Sequence, residues 1–375
     1  MRSAITVDTG AVRSNAARLA AAAPGSALMV VVKANGYGHG AVECALAAID
    51  GGATELAVAS ADEGVSLRAA LAGGPHADVP ILVLGSLTAD EIGPAVDAGL
   101  QLGAWTTEFV EAINAAASER GAKVAVHVKL DTGLGRLGTR DTVVADRVAD
   151  AAAQSSSLDL RAGWTHFATA DEPADEFFGE QLERFRAWGT TLRARHASVL
   201  LHAANSAAVL REPGSHFDIV RCGVALYGLD PFGRDPREHD LRAAMSLTAA
   251  VGAVKYCAAG QSTGYGRRFI AERDTTIVTI PVGYGDGYRR ALGNRADVLI
   301  DGVRMPVRGT VSMDNITVEV PAGVRPPVPG DEVVLMGVSG DERVSAEELA
   351  QHADTINYEI TCGFSTRPRR FWTGA

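Results

Sequence analysis

The stretch 27-ALMVVVKANGYGHGA-41 places a lysine where an apolar strand should end. Residues 29–32 are apolar in succession, which is typical of a buried strand, and Lys33 follows at once. A glycine-rich turn then covers residues 36–40. Burying an ammonium group is costly unless the group is paired or neutralised. Lys33 therefore needs a physical reason for its position.

Seven further apolar runs resemble this one, and alanine-rich segments of helical length separate most of them. The predicted strands cover residues 28–33, 55–59, 80–84, 100–103, 123–130, 158–165, 198–202 and 217–221. Alternating strands and helices with short connections predict a parallel sheet. Eight such units in about 230 residues favour an α/β fold of the (β/α)8 TIM-barrel type, with a doubly wound open sheet as the structural alternative.

The pattern changes near residue 235. The polar segment 233-GRDPREHDLRAA-244 is typical of a linker. Beyond it, β-rich runs such as 275-TTIVTIPVGY-284 follow one another with few helices between them, apart from a short one near residues 345–352. We predict a barrel over residues 1–235 and a C-terminal, mostly β domain over residues 236–375.

Composition excludes several classes of protein. The net charge of −10 over 375 residues argues against a general nucleic-acid binder, which would carry a basic surface. No run of about 18 apolar residues occurs, and the N-terminus lacks a signal-peptide pattern, so we expect no membrane span and a cytoplasmic location. The four cysteines form no Cys-x-x-Cys pair, which predicts neither a disulfide framework nor a metal site.

Polar residues gather at the carboxyl ends of the predicted strands, where a barrel carries its chemistry. They are Lys33, Lys129, Asp131, Arg136, His166, Asn205, Ser206 and Arg221. Taken singly, each has a structural explanation, such as a lysine that extends its charge to solvent. Together they are rich in cations, whereas a metal site would need clustered carboxylates, histidines or cysteines. A serine-hydrolase nucleophile elbow is also missing from the sequence.

A buried lysine among cations suits an anionic cofactor that carries a carbonyl group. A desolvated lysine can be held neutral and can attack a carbonyl to give a Schiff base. Neighbouring cations suit a phosphate group. Phosphate and Schiff base together suggest pyridoxal phosphate.

The sequence resembles the alanine racemase family, which uses pyridoxal phosphate. The segment 31-VVKANGYGHG-40 resembles the family's cofactor-lysine motif. Other motifs follow in the family's order, namely 129-KLDTGLGRLG-138, 202-HAANSA-207, 218-DIVRCGVALYG-228, 282-VGYGDGY-288 and 309-GTVSMDN-315. The resemblance covers nearly the whole chain. It implies a barrel plus a β domain, and the interconversion of L-alanine and D-alanine for peptidoglycan.

The resemblance assigns roles to residues of the barrel and to Tyr265 of the β domain. Lys33 would bind the cofactor as a Schiff base and act as one catalytic base, and Tyr265 would act as the other base from the opposite face. Arg221 would face the pyridine nitrogen, and Arg136 would contact the ring hydroxyl and the substrate carboxylate. The cofactor would also be contacted by Tyr37, Asn205, Ser206, Gly223 and Val224. His166 would hydrogen-bond Tyr265 and is counted with these cofactor-binding residues.

The resemblance also implies a head-to-tail homodimer with shared active sites. In this family the catalytic tyrosine and a Met-Asp stretch reach the site from the partner subunit. Met313 would bind the substrate carboxylate through its backbone amide, together with Tyr284, and Asp314 would support them. No metal is implied.

Two states of Lys129 stay open. The family often carbamylates this lysine, which gives an anion that orients Arg136. The alternative is a plain lysine that forms an ion pair with Asp131.

Three other functions compete with alanine racemisation. The first is a non-catalytic pyridoxal phosphate binding protein, which would have no need for a second base on a β domain. The second is a racemase of another amino acid such as serine, and the third is a barrel decarboxylase of basic amino acids. Proton exchange and chirality, measured with alanine and serine, would distinguish them.

Overall fold

The computed structural model describes residues 2–374, which form two compact units. One unit is a barrel built from Val12–Phe232 and Arg237–Arg242. The other is rich in strands and holds residues 2–11, Gly233–Pro236 and residues 243–374. The first strand of the chain, β1 (Ser3–Asp8), belongs to this second unit.

Eight parallel strands close the barrel, each hydrogen-bonded to the next in chain order and the last paired with the first. They are β2 (Ala27–Val31), β3 (Glu55–Val58), β4 (Ile81–Val83), β5 (Gln101–Ala104), β6 (Val124–Lys129), β7 (Leu158–Trp164), β8 (Leu200–His202) and β9 (Ile219–Cys222). Each overlaps one of the eight predicted strands. The predicted barrel is confirmed, and the open sheet is excluded because β2 and β9 pair.

One helix precedes the barrel strands, and further helices follow most of them. In chain order they are α1 (Thr9–Ala22), α2 (Lys33–Tyr37), α3 (Ala41–Asp50), α4 (Ala61–Leu71), α5 (Ala89–Asp97), α6 (Thr107–Glu119), α7 (Thr142–Gln154), α8 (Phe177–Arg195) and α9 (Ser206–Arg211). Side-chain oxygens cap several starts, since Ser60 and Asp141 accept hydrogen bonds from backbone N–H groups three and two residues ahead. Within residues 2–374, no helix is long and apolar enough to cross a membrane.

The second unit is built on one mixed sheet in the order β11-β14-β17-β16-β15-β18-β10-β1-β20, with β19 paired to β18 and a separate β12–β13 hairpin. Its further strands are β10 (Met245–Ala250), β11 (Ala253–Cys257), β12 (Ser262–Thr263), β13 (Phe269–Ile270), β14 (Thr275–Ile280), β15 (Asp297–Ile300), β16 (Val303–Arg308), β17 (Ile316–Glu319), β18 (Glu332–Ser339), β19 (Glu342–Val344) and β20 (Arg369–Thr373). Two helices, α10 (Ala346–Ala353) and α11 (Asn357–Cys362), complete it. The predicted mostly β domain and its short helix are confirmed.

The division of the chain differs from the predicted barrel over 1–235 and β domain over 236–375. β1 pairs antiparallel with β10 and parallel with β20, so residues 2–11 join the strand-rich unit. The predicted linker is also divided, with Gly233–Pro236 in that unit and Arg237–Arg242 in the barrel unit. The pairing of β1 with β10 and β20 joins segments that lie far apart in the chain. Local patterns do not report such pairings.

Candidate active site

One residue, Val32, separates β2 from Lys33, which begins α2, a single turn whose backbone is left-handed. Ala34, Asn35 and Tyr37 have φ angles of 50°, 52° and 53°, and Gly36 has 64°. Residues other than glycine and asparagine rarely adopt this conformation, because Cβ approaches the following carbonyl oxygen. The chain therefore reverses sharply at the carboxyl end of β2, and Lys33 is left half-buried there.

Tyr37 ends this turn beside the segment that follows β9. A Cβ atom built on Gly223 would lie 2.5 Å from the Tyr37 hydroxyl oxygen, so only glycine allows this approach. Ser206 Oγ accepts hydrogen bonds from the N–H groups of Gly223 and Ala225, at 3.0 and 3.3 Å. Val224 lies between them and is buried. A hydroxyl from α2, one from α9 and two backbone amides thus meet at one place.

Asn205 and Arg136 flank the barrel mouth in different ways. Asn205 is the N-cap of α9, and its amide oxygen accepts a hydrogen bond from Ala208 N–H at 3.0 Å. Arg136 is exposed on the loop after β6. It lies close enough to Lys129 for its charge to lower the pKa of that lysine.

Arg221 is buried at the end of β9 and is held from four sides. Its guanidinium donates to the carbonyl oxygens of Thr165 (2.7 Å) and Ala203 (3.0 Å). It also lies 2.9 Å from His202 Nδ1 and 3.3 Å from His166 Nδ1. Burial lowers the pKa of Arg221 to about 9, which leaves the group protonated at neutral pH.

A chain of hydrogen bonds runs from Arg221 into the barrel interior. His202 Nε2 lies 2.9 Å from His127 Nδ1, and His127 Nε2 lies 2.9 Å from the side-chain oxygen of Gln101. Arginine only donates, so His202 accepts at Nδ1 and carries its proton on Nε2. His127 then accepts at Nδ1 and donates from Nε2 to Gln101. Both histidines are therefore neutral, and burial lowers the pKa of His127 to about 3.

Sequence reasoning missed this chain of hydrogen bonds. His127 and Gln101 lie within their strands, whereas the site residues were predicted from the carboxyl ends of the strands. One signal was available, because His127 is two residues before Lys129 and so shares its side of β6.

Lys129 is buried against an aromatic ring and among other cations. Its Nζ lies 4.1 Å from the centre of the Trp164 ring. Burial lowers the pKa of Lys129 to about 7, and the positive charges of Arg221, Arg136 and Lys33 act in the same direction. Burial and the same cations hold the pKa of nearby His166 well below its ordinary value. This end of the barrel is thus an electropositive site.

Asp131 acts on Lys129 through its charge, which opposes the lowering of that lysine's pKa. Its carboxylate also accepts hydrogen bonds from the N–H groups of Gly133 and Gly135, each at 3.0 Å, and from Arg140 Nε at 3.0 Å. Asp131 therefore shapes the loop that carries Arg136. Gly133 and Gly135 thus donate their N–H groups within that loop.

The second unit exposes three large side chains that the sequence analysis assigned to the site. The exposed fractions are 76% for Tyr265, 44% for Tyr284 and 54% for Met313. One loop braces all three segments, since Thr310 Oγ1 donates to the Tyr265 carbonyl at 3.0 Å and Tyr284 N–H donates to the Ser312 carbonyl at 3.0 Å. Large aromatic groups exposed together mark a surface that binds something.

An ion-pair network supports these loops. Arg2 lies 3.0 Å from the carboxylate of Asp286, which is 1% exposed. Arg367 donates to Asp314 at 2.7 Å and lies 3.5 Å from Asp286. Asp286 follows Tyr284 by two residues, and Asp314 follows Met313. The network thus joins both loops, and of its four residues only Asp314 was anticipated.

The fold and the polar groups define a class of protein. It is a two-domain enzyme in which a parallel barrel carries a lysine-containing, electropositive site at the carboxyl ends of its strands. Comparison with known proteins makes the assignment specific. Residues 7–231 match the model of the alanine racemase N-terminal domain, and residues 244–372 match that of the C-terminal domain.

The chain belongs to the alanine racemase family. It is 43% identical over 370 residues to an alanine racemase of Symbiobacterium thermophilum, covering 98% of this chain and 96% of the relative. It is 39% identical to alanine racemase 1 of Bacillus subtilis, covering 92% and 86%. The solved alanine racemase of Streptomyces coelicolor superposes with a TM-score of 0.94 at 36% identity, covering 100% of this chain and 98% of the other.

Proposed function

We propose that this protein interconverts L-alanine and D-alanine and so supplies D-alanine for peptidoglycan. The observation that carries the proposal is the cationic barrel mouth of Lys33, Lys129, Arg136 and Arg221 in a chain of the alanine racemase family. An amino acid brings a carboxylate and the family's cofactor brings a phosphate. Both anions suit a site of this charge.

Pyridoxal phosphate is the cofactor of this proposal, and the barrel's donor set fits it. The Ser206 hydroxyl, the amides of Gly223 and Ala225 and the Tyr37 hydroxyl converge in a way that suits phosphate oxygens. Lys33 offers the amine for the cofactor's aldehyde. The bound cofactor withdraws electrons from the substrate α-carbon and so makes its proton acidic.

Lys33 and Tyr265 are the two proposed bases. Racemisation takes the α-proton from one face and returns a proton to the other, so one base on each face suffices. Lys33 Nζ would move the proton on one face and Tyr265 Oη on the other. An ordinary tyrosine, with a pKa of about 10, stays protonated at neutral pH. A positive environment would favour the anion that it needs as a base.

Arg221 would donate a hydrogen bond to the cofactor's ring nitrogen while keeping its own proton. Its contacts with two carbonyl oxygens and with His202 fix the guanidinium in the protonated form. By keeping its proton, Arg221 would leave the cofactor's ring nitrogen unprotonated, and this would limit the electron withdrawal that leads to side reactions.

A homodimer with shared sites completes the proposal. Tyr265, Tyr284 and Met313 are exposed on the strand-rich unit, as expected for side chains that enter a partner's barrel. The Met313 amide and Tyr284 would bind the substrate carboxylate there, and Asp314 would support the loop. We also propose a cytoplasmic location, which suits four cysteines that form no disulfide within residues 2–374 and can be checked by cell fractionation.

Proton exchange in D2O tests the activity directly. Purified protein would be incubated with L-alanine, with L-serine in parallel, while optical rotation and the α-proton NMR signal are followed. Alanine should lose both signals, and serine should lose them much more slowly. Exchange without loss of chirality would contradict the second base. Comparable rates for serine would contradict alanine specificity.

The assignment of Lys33 has its own test. Borohydride reduction of the cofactor-loaded protein, followed by peptide mass mapping, should find the cofactor on Lys33. A label on any other lysine would refute the assignment.

A further inference from the structure

We propose that Glu63 is a positioning residue that holds Lys33 in its working place. The inference rests on the role proposed for Lys33. Glu63 lies in the first turn of α4 and is half-buried. It lies outside the motifs from which the site residues were predicted. It touches the backbone next to Lys33.

Both carboxylate oxygens of Glu63 are used. Oε1 accepts a hydrogen bond from Ala34 N–H at 2.7 Å, and Oε2 accepts one from Ala59 N–H at 2.8 Å. The first amide belongs to the residue after Lys33, and the second to the residue after β3. Glu63 therefore ties the start of the lysine turn to the neighbouring barrel strand.

The local sequence predicts a different use of this carboxylate. The segment 60-SADE-63 fits the capping-box pattern, in which the glutamate bonds back to the N–H of the cap residue. The structure keeps one half, since Glu63 N–H donates to Ser60 Oγ at 3.3 Å. The carboxylate, however, bonds to Ala34 and Ala59. Helix capping therefore does not account for the position of its oxygens.

The tie acts on a strained turn. Ala34 and Tyr37 hold left-handed φ angles of 50° and 53°, which persist only when the surroundings over-determine them. The far end of the turn has its own braces, because His39 Nδ1 lies 3.1 and 3.0 Å from the carbonyl oxygens of Gly36 and Tyr37. Glu63 braces the Lys33 end. Without it, the turn can relax and carry the Lys33 amine away from the substrate.

The test compares Glu63→Gln with Asp62→Asn. Asp62 is exposed in the same helical turn, and its side chain makes no hydrogen bond to the described residues 33–40, so its change removes the same charge without removing a bond to the lysine turn. In Glu63→Gln, the side-chain carbonyl oxygen can still accept one of the two hydrogen bonds. The NH2 group faces the other backbone N–H, which therefore loses its acceptor. The first readout is hydrogen exchange of residues 33–40 in the cofactor-free protein. The second comprises kcat and KM for alanine and the cofactor Kd from absorbance titration.

In Glu63→Gln, exchange of residues 33–40 should accelerate about tenfold, as expected for losing one charge-assisted hydrogen bond. The value of kcat should fall about tenfold to a hundredfold, since a small misplacement of a catalytic group is costly. The cofactor Kd should rise, and KM for alanine should stay within about twofold. Asp62→Asn should match the unchanged protein.

Unchanged exchange in Glu63→Gln, or equal acceleration in Asp62→Asn, would overturn the proposal. Faster exchange with unchanged kcat would overturn it too, because the turn would not need its brace. An inactive wild-type protein would instead contradict the proposed function, while the exchange data would still report on the tie.

Ala34→Gly offers a second, independent variant. Glycine adopts a positive φ without steric cost, so it should relieve the strain that Glu63 opposes. Added to Glu63→Gln, it should restore part of the lost exchange protection. No restoration would contradict strain as the reason for the tie. If thermal unfolding shows that Glu63→Gln alone impairs folding, the exchange and kinetic measurements are made on the double variant.

Discussion

At the scale of single residues, the site is a group of cationic side chains held close together by the fold. Lys129 and Arg221 are both buried, and burial is the largest cause of the lowered pKa of each. Close cations repel, so an anion would stabilise this part of the molecule. A bound phosphate, a substrate carboxylate, or a carbamate on Lys129 would each supply one. The last stays a prediction, which ¹³C NMR with labelled bicarbonate would check through a carbamate signal.

The lowered pKa of Lys129 predicts a pH-dependent stability. The folded-state pKa of about 7 lies below the ordinary value of 10.5, so between these values the unfolded chain binds more protons and stability rises with pH. Lys129→Met removes this penalty of at most about 5 kcal/mol. In cofactor-free, CO2-free protein, the variant should gain unfolding free energy at pH 7 and gain less near pH 10. Urea unfolding measures both, and a gain that grows with pH would contradict the assignment.

Tyr265→Phe separates base chemistry from cofactor binding. The change removes one hydroxyl from an exposed ring, so folding and cofactor attachment at Lys33 should be preserved. Racemisation should fall by at least about a hundredfold, the usual contribution of a general acid–base group. Rates from each enantiomer and the absorbance of the bound cofactor are the measurements. Unimpaired racemisation would remove Tyr265 from the mechanism, and loss of absorbance would indicate a cofactor role instead.

At the scale of elements, the first strand shows how distant segments complete the strand-rich unit. β1 lies between β10 and β20, and its residues alternate between buried and half-buried positions. Ile5 and Val7 are fully buried, whereas Thr6 lies on the other face. A strand with neighbours on both sides contributes two ladders of hydrogen bonds. It therefore belongs to the core of that unit.

Ile5→Ala should destabilise the strand-rich unit by about 3 kcal/mol, because it leaves a cavity in a packed core. Thr6→Ala is the matched control in the same strand and should cost much less. Urea unfolding followed by circular dichroism compares the two. Equal effects would show that the buried face of β1 does not carry its stability.

At the scale of the whole molecule, the proposed function needs residues of both units. Lys33 lies in the barrel and Tyr265 in the strand-rich unit. In an acidic protein with a net charge of −10, the cations at the barrel mouth are a local exception. Such an exception is typical of a binding site for anions.

Mixed dimers test the shared site. Lys33→Ala and Tyr265→Phe should each be inactive alone. When the two are co-expressed, about half of the dimers should be mixed, each with one intact site, so activity should return to about a quarter of the wild-type value. Each variant expressed alone is the control, and sedimentation confirms the dimer. No recovery in confirmed mixed dimers would contradict sites shared between subunits.

The sequence by itself determined the eight strand–helix units and the position of most barrel site residues at the strand ends, whereas closure of the sheet was decided by the structure. Apolar runs mark buried parallel strands, and residues that follow such runs must meet at one edge. These are local signals repeated in chain order. Whether Lys33 and Arg221, which follow the first barrel strand and lie in the last, come close together depends on closure of the sheet, and the pairing of β2 with β9 shows that closure. The roles of Tyr265 and Met313 were predicted from the family resemblance, because no local sequence pattern indicates them.

Only the tertiary structure decided the contacts between distant segments. β1 joins the strand-rich unit, Asp131 bonds its own loop, His127 and His202 support Arg221, and Glu63 ties the lysine turn to β3. Each of these depends on distances and donor–acceptor geometry across the fold. Sequence periodicity reports which face a residue occupies, whereas hydrogen-bond partners are chosen among groups that only folding brings within about 3 Å.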